Sequence, residues 1–516
     1  MTVETANYIS QLDPDLPRDA DLESEGAAQI RTVKLATQQS FPNVSGPVTA
    51  THTDLSTVGI TQATTDSSTK VASTACVDAK ILAASLSSTV PTQTGNAGKT
   101  LRTDGTSVSW SYSGYVARTS NTILSLSNND NLIEYTSGTF SQTFAAAATL
   151  GSGWRVFVKN SGTGDITLTP NGAETIDGLT SFVMYPGEAR VVYSNGTALV
   201  STVLCPFTKT FTADGTFILP PGYGGEFECD GFGGGGGGGS GSRGTTTAQG
   251  GAGGGGGSAR KIQRVRGQTA GTSYTVTIGT AGAGGAAVAV NNTAGSNGTS
   301  GGNTTVGSVF TAFGGSLGAG GPFSANAGAG GGGSGWASRT GASGGGQPGG
   351  GAIADGGPEG FGGGSGSASA ATAGVSAFNG GGGGGSGSDG AADAGAGGSS
   401  YYGGAGGGGG GGINAGTTLY SPSAGGSVGT MTAGSGGAAG TSNATTPTAG
   451  TAGSAGTNGS GGTGGGGGGS ATGAAAAAGG AGGFPGGGGG GGGATRNGFN
   501  SGAGGAGALG VVTIRP

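Results

Sequence analysis

Four carboxylates, Asp165, Glu174, Asp177 and Glu188, are the first group in this sequence whose chemistry has to be weighed. Two carboxylates facing each other across a sugar could serve as acid and base on a glycosidic bond. These four fall in turn-like stretches such as PNGAETIDG and YPGE, where Asp and Glu are ordinarily solvated, and that argues against a paired catalytic role. The C-terminal half adds only Asp355, Glu359, Asp389 and Asp393. GNAGKT at 95–100 looks like a phosphate loop, but two residues separate Gly95 from Gly98 where that loop needs four. The single histidine, His52, argues against histidine catalysis and a histidine-held metal. Cys76, Cys205 and Cys229 are scattered and odd in number, so they read as small buried residues. No cofactor and no metal are expected. The one basic cluster, RKIQRVRG at 260–267, could meet anionic polysaccharide, although a solvent-facing basic strand accounts for it better.

What remains is recognition chemistry. Phe310, Phe313 and Phe323, then Trp336 with Arg339, Tyr401 with Tyr402, Tyr420, Phe484, and Arg496 with Phe499 all stand between runs of glycine. Aromatics with Arg, Asn and Ser on a rigid frame make a receptor surface. The phenylalanines could equally plug the sides of glycine layers as a minimal core, and the sequence leaves that choice open. Trp336, Tyr401 and Tyr402 are assigned to surface contact.

The frame must come from glycine. Of 133 glycines, 113 lie in the last 286 residues of the 516-residue chain. Charge divides at the same boundary: 21 acidic and 12 basic residues precede Gly231, and 4 and 8 follow, too sparse to argue for nucleic acid. A flexible linker would contain nothing that needs burial. Here TSYTVTIG, NTTVGSVFTAFGG and the terminal ALGVVTIRP have strand character, so VVTIRP is expected to close a structure that GEFECD begins. The runs at 233–239, 253–257, 380–385, 406–412, 464–469 and 486–493 are similar in length. In an extended left-handed helix of three residues per turn they suit rods sharing one layer height. Ordering glycine carries the largest backbone entropy cost of any residue, so lateral hydrogen bonds, close packing and oligomerisation must offset it.

Ahead of this half, residues 118–204 contain seven β-rich runs, TILSL, LIEYT, WRVFVKN, DITLTP, SFVMY, ARVVY and LVSTVL, separated by turn residues, which predicts a small all-β sandwich or barrel. DGTSVSW reads as a turn into a strand. A helix is predicted from about Ser24 to Ser40, with Ile30, Val33 and Thr37 on one face and Pro42 as its stop. In 68–88, Thr74, Val77, Ile81 and Ala84 follow a short coil spacing. The N-terminus lacks a basic region and an apolar run, so no signal peptide is expected, and no stretch is long and apolar enough to span a membrane.

QLDPDLP, the acidic SEG, the short helix and FPNVSGPVTATHTDL together resemble the N-terminal attachment region of tailed-bacteriophage tail fibre proteins. The coil, the PNGAETIDG turn and YPGEARVVYSNGTAL are similar to shaft elements of such fibres, and the alternation of runs and loops resembles the glycine-rich tips of long tail fibres, built as packed polyglycine II helices. The resemblance implies a mostly β and irregular, elongated fibrous multi-domain chain. Its parts would be a tail-attachment region at 1–60 using Leu12, Asp13, Pro14, Ile30, Phe41 and Pro42, a coil and connector at 61–117, a β shaft domain at 118–206, and a polyglycine II receptor-binding tip at 207–516. It implies a homotrimer in the virion, made in the host cytoplasm. The trimer would dock on a tail or baseplate protein and bind lipopolysaccharide or an outer-membrane protein of the host. The rival expectations are a fibre-borne depolymerase and a purely structural glycine-rich spacer.

Overall fold

The computed structural model of the chain describes residues 5–8, 11, 13, 15, 23–43, 91–97, 99–103, 106–255, 260–321, 372–430, 436–457 and 459–516. Leu12, Pro14, His52, the 68–88 coil, Phe323, Trp336, Arg339, Asp355 and Glu359 lie outside the described residues. The chain is mostly strand with few helices and divides into two compact units, Met1–Tyr112 and Ser113–Pro516.

In the first unit, helix α1 (Glu23–Ser40) carries Glu23 and Glu25 in its first turn, where the helix dipole favours negative charge. The Phe41 amide still reaches Thr37 O at 3.0 Å, and Pro42 has no N–H with which to continue. Ile30, Val33 and Phe41 are exposed, whereas Ala36 and Gln29 are buried. A hairpin pairs β1 (Thr100–Thr103) with β2 (Val108–Ser111), the strand expected within DGTSVSW. Trp110 Nε1 donates to Pro91 O at 3.0 Å and ties the hairpin to the preceding chain.

The second unit opens with a five-stranded sheet of β3 (Tyr115–Arg118), β4 (Leu132–Tyr135), β6 (Arg155–Asn160), β9 (Ala189–Ser194) and β10 (Leu199–Cys205), in the order β10-β9-β6-β4-β3. A three-stranded sheet adds β5 (Phe140–Thr143), β7 (Ile166–Thr169) and β8 (Phe182–Met184). Alternation decides which side chains face inward: in β6, Val156 and Val158 are buried while Arg155 and Lys159 look out. With Trp154, Ile133, Leu168 and Met184 they form one continuous core. Six of the seven expected runs contain strands. TILSL does not: Leu124 makes a single bridge to Phe144, and the backbone then turns through a short 3-10 segment at Leu126–Asn128. The strands at Tyr115–Arg118 and Phe140–Thr143 were not expected, because their alternation is short and diluted by polar residues.

Two further sheets have four strands each. One has the order β11-β20-β13-β15, formed by β11 (Lys209–Phe211), β13 (Phe227–Phe232), β15 (Arg260–Val265) and β20 (Val511–Arg515). The other has the order β12-β16-β17-β18, formed by β12 (Gly215–Ile218), β16 (Ser273–Thr277), β17 (Thr304–Val306) and β18 (Phe310–Ala312). Phe217, Phe227, Tyr274, Val306, Phe310 and Ile514 pack in their shared core. The expected closure is borne out: β20 pairs antiparallel with β13, from Glu228 opposite Arg515 to Phe232 opposite Val511.

From Gly233 onward the backbone hydrogen bonds follow a step of three. The amides of Gly234, Gly237 and Ser240 donate to Gly302, Thr299 and Ser296; those of Gly235, Gly238 and Gly241 donate to Ala508, Gly505 and Gly502; and Gly239 and Ser242 donate to Ala252 and Gln249. The carbonyls are used in the same rhythm by 282–285, 315–321 and 489–492. One segment therefore bonds six neighbours, three through its amides and three through its carbonyls. Segment 486–494 does the same with 233–242, 477–483, 405–411, 251–254, 502–508 and 465–471.

Six neighbours leave no free side, which is why these segments are almost pure glycine. A Cβ on Gly236, Gly237 or Gly238 would strike the carbonyls of Ser316, Ala283 and Gly490 in turn, three different neighbours for three successive residues. Outer segments have fewer neighbours and need glycine only at every third position, as in Gly295, Gly298 and Gly301 or Gly450, Gly453 and Gly456.

Side chains also serve as acceptors for segment backbone amides. Asn297, Ser300 and Asn303 accept from the amides of Gly320, Leu317 and Gly314 at 2.8, 3.3 and 3.0 Å, one ladder with the same step of three. The Asn297→Ala, Ser300→Ala and Asn303→Ala variants should each lose about 1 kcal/mol in denaturant unfolding, because each removes the side-chain acceptor of a backbone amide. A triple variant as stable as the native chain would show that the ladder is incidental.

Candidate functional site

The direction of the glycine segments sorts the candidate residues. Segments 233–242, 314–321, 380–388, 404–412, 461–470 and 486–494 run parallel to one another, as the rising pairs 315 to 234 and 318 to 237, or 488 to 405 and 491 to 408, require. Residues immediately before such a segment lie at the end next to the sheets. Residues immediately after it lie at the opposite, distal end.

Five of these segments are preceded by an aromatic residue: Phe232, Phe313, Phe378, Tyr402 and Phe484. At this end Phe378 and Tyr401 stack at 5.0 Å between ring centroids, and Tyr402 meets both edge-on at 5.3 and 4.9 Å. The Arg260 guanidinium stands 5.8 Å from the centre of the Tyr402 ring. Its Nε and Nη2 donate to the two Asp230 oxygens at 2.9 and 2.6 Å, and those bonds hold its pKa above the ordinary value. Phe484 is exposed in the adjoining turn, where Gly461 donates to Tyr402 O and Gly462 to Pro485 O.

The distal end is polar. Ser242, Ser388 and Ser470 close three of the segments, and Arg243, Asp389, Asn414 and Arg496 come close behind two of these and two others. Ala248, Ile413 and Ala494, with Leu419 against them, make a small apolar plug beneath the loops. Arg243 and Arg496 sit on strands β14 (Arg243–Gly244) and β19 (Thr495–Arg496), which pair in parallel. Arg496 donates to the carbonyls of Asn414 and Ala415, and burial pulls its pKa down. Asn497 exchanges two bonds with Asn292, at 3.0 Å to its amide and 2.9 Å between side chains. Tyr420 is half-buried, and its backbone bonds Gly412; Phe499 is exposed at 38%.

Against known protein families and curated proteins, the chain finds no match.

The candidates thus form two groups. Tyr401, Tyr402 and Phe484 gather near the sheets, and Tyr420, Arg496 and Phe499 gather at the distal end. Phe310 belongs to neither: it is 1% exposed inside the core between the two four-stranded sheets, so it is neither a surface residue nor a plug on the side of the glycine layers. Phe313 is half-buried beside it. Phe378 was missed, although its place just before the 380–385 run is the same signal that marks Tyr402 and Phe484.

The early carboxylates have structural duties. Asp165 holds Lys209 Nζ at 2.6 and 2.8 Å, Glu174 accepts from the Ala147 amide at 3.0 Å, and Asp177 takes the Ser201 amide at 2.7 Å. Glu188, expected in a solvated turn, is fully buried instead, with Arg190 against it at 2.6 Å and Tyr223 Oη donating at 2.9 Å. Burial pushes the Cys229 thiol up to about 12, which leaves it inert as a nucleophile at neutral pH. The basic stretch 260–267 is an edge strand whose arginines pair with Asp230 and Glu226. Among the described residues, no helix is long and apolar enough to cross a membrane, and no group of three His, Cys, Asp or Glu could hold a metal ion.

Proposed function

We propose that this chain is a tail fibre protein of a tailed bacteriophage, a homotrimer anchored to the virion through its N-terminal region. In this reading it binds a bacterial surface receptor, lipopolysaccharide or an outer-membrane protein, through the distal loops of a polyglycine II tip. The observation that carries the proposal is the step of three in the hydrogen bonds of a six-neighbour segment. A frame of that kind is rigid without a large apolar core, and it delivers side chains of unlike chemistry to one end. Such a frame is what a receptor-binding surface needs, since loops fixed in advance lose little entropy on binding. It also speaks against a flexible spacer, whose backbone would have no lateral partners. The structural duties of Asp165, Glu174, Asp177 and Glu188 favour binding over polysaccharide cleavage. At the other end of the chain, exposed Ile30, Val33 and Phe41 are available for docking.

The test is adsorption. Labelled full-length protein should bind cells of a susceptible host and compete with virus. Replacing both 414–420 and 496–500 with Gly-Ser sequence of equal length should reduce that binding at least tenfold while the amides of 233–242 keep their protection from hydrogen exchange. Undiminished binding after both replacements would remove the distal loops from the receptor surface, and release of new reducing ends from host polysaccharide would replace the proposal with an enzyme.

A further inference from the structure

The aromatic cluster beside the sheets has no role in the distal-loop reading, and its chemistry is specific. We infer that Phe378, Tyr401 and Tyr402 form a platform for a neutral saccharide ring, a binding site separate from the distal loops and independent of what those loops recognise.

Ring geometry limits the ligand first. The three centroids lie 4.9 to 5.3 Å apart, and the Phe378 and Tyr401 rings are stacked within 18° of parallel. Rings in mutual contact leave no open centre, so this is not a cage that surrounds a cation. They offer an outer face, with Tyr401 39% exposed. The ligand that suits it has a flat apolar side of its own.

Hydrogen bonding limits it further. The hydroxyls of Tyr185, Tyr223 and Tyr274 bond Ile218, Glu188 and Gln268 at 3.1, 2.9 and 2.6 Å. Among the described residues, neither Tyr401 nor Tyr402 has a hydroxyl partner, so each keeps a donor and an acceptor at the rim of the aromatic face. A pyranose matches this arrangement, with C–H groups on one face and hydroxyls around the edge.

Charge selects among sugars. Among the described residues Arg260 is the cation beside the cluster, and Asp230 takes two of its donors, which leaves the neighbourhood neutral. A uronate or phosphorylated sugar would gain no unpaired positive partner from it. Arg260 is also pinned from the other side, since any side chain at Gly459 would come within 3.1 Å of its Nη2. The platform is preorganised: Tyr401 N–H bonds Ala377 O at 3.1 Å, Tyr402 N–H bonds Phe378 O at 2.9 Å, and Gly461 donates back to Tyr402 O at 2.9 Å.

The experiment titrates full-length protein with neutral tetrasaccharides of glucose, galactose and mannose, and with a glucuronate oligomer, by calorimetry and tyrosine fluorescence. At least one neutral sugar should bind saturably. Tyr401→Ala should weaken it tenfold or more, Tyr401→Phe about threefold, and Leu204→Ala, on exposed β10 and in neither group, not at all, with unfolding midpoints recorded for each. Should Tyr401→Ala not fold, Tyr401→Phe and Tyr402→Phe keep the rings and must each still weaken binding. Absence of saturable binding by all three neutral sugars, binding indifferent to the tyrosine changes, or preference for the glucuronate oligomer would overturn the inference.

Discussion

The Gly490→Ala variant is expected to lose about 3 kcal/mol or more of stability, enough to unfold much of the glycine-rich half at moderate temperature. In most loops such a change gains roughly 0.4–1 kcal/mol, because the unfolded chain has fewer conformations to lose. Here the sign reverses. Gly490 donates to Gly480 O at 2.8 Å and accepts from Gly505 N at 2.7 Å, and its third side faces the Gly466 carbonyl, onto which a methyl group would fall. Overpacking in an ordinary core costs about 1–3 kcal/mol because side chains can shift. A carbonyl of a segment bonded to neighbours on every side cannot shift without breaking several hydrogen bonds, so the upper end of that range is the floor. Ala452→Ser, on an exposed outer position, supplies the control and should stay within about 0.5 kcal/mol of native. Calorimetric midpoints for the two variants decide the matter, and equal midpoints would mean that the segments are not packed as described.

Arg190→Met should be comparably damaging, at about 3–5 kcal/mol, because it leaves Glu188 buried without its counter-charge. Both side chains are 0% exposed, and Arg190 also donates to Ser201 Oγ at 2.9 Å and Pro221 O at 2.7 Å. Pro221 and Tyr223 belong to the turn after β12, so the pair joins the first sheets of the second unit to the double-sheet core. Replacing both members, Glu188→Leu with Arg190→Met, should cost less than the arginine change alone, since an apolar pair of similar volume abolishes the buried charge. Chemical denaturation of the three variants tests this, and a double variant worse than the single one would assign the loss to packing.

Much of the scaffold was legible in the sequence. VVTIRP announced a closing strand and GEFECD its partner because both alternate, and the runs announced close packing because nothing else needs six or more glycines in a row. The outer segments were harder to see. In TAGTAGSAG at 448–456 the glycine at every third position meets a neighbouring carbonyl, so the signal is a period and not a run. The division of the aromatic residues between two ends could not be read from their spacing. It depends on which segments run parallel, and hydrogen bonds between residues far apart in sequence set that. Glu188 was misjudged for a related reason: YPGE is a turn by composition, but its carboxylate is covered by Arg190 and by Tyr223, 35 residues away.

The position of β20 also governs the order of events during synthesis. Its five residues, Val511–Arg515, lie between β11 and β13, in the interior of their sheet. A ribosome that has just made β13 has nearly 280 residues still to add before that place can be filled. At roughly 5–20 residues per second this is an interval of about 15 to 60 seconds. Throughout it the aromatic core has an open side and the first glycine segments lack partners not yet made. Pairing across such a separation is also intrinsically slow. A chain cut short anywhere before Val511 would never shut that sheet, so the fold waits on its last strand.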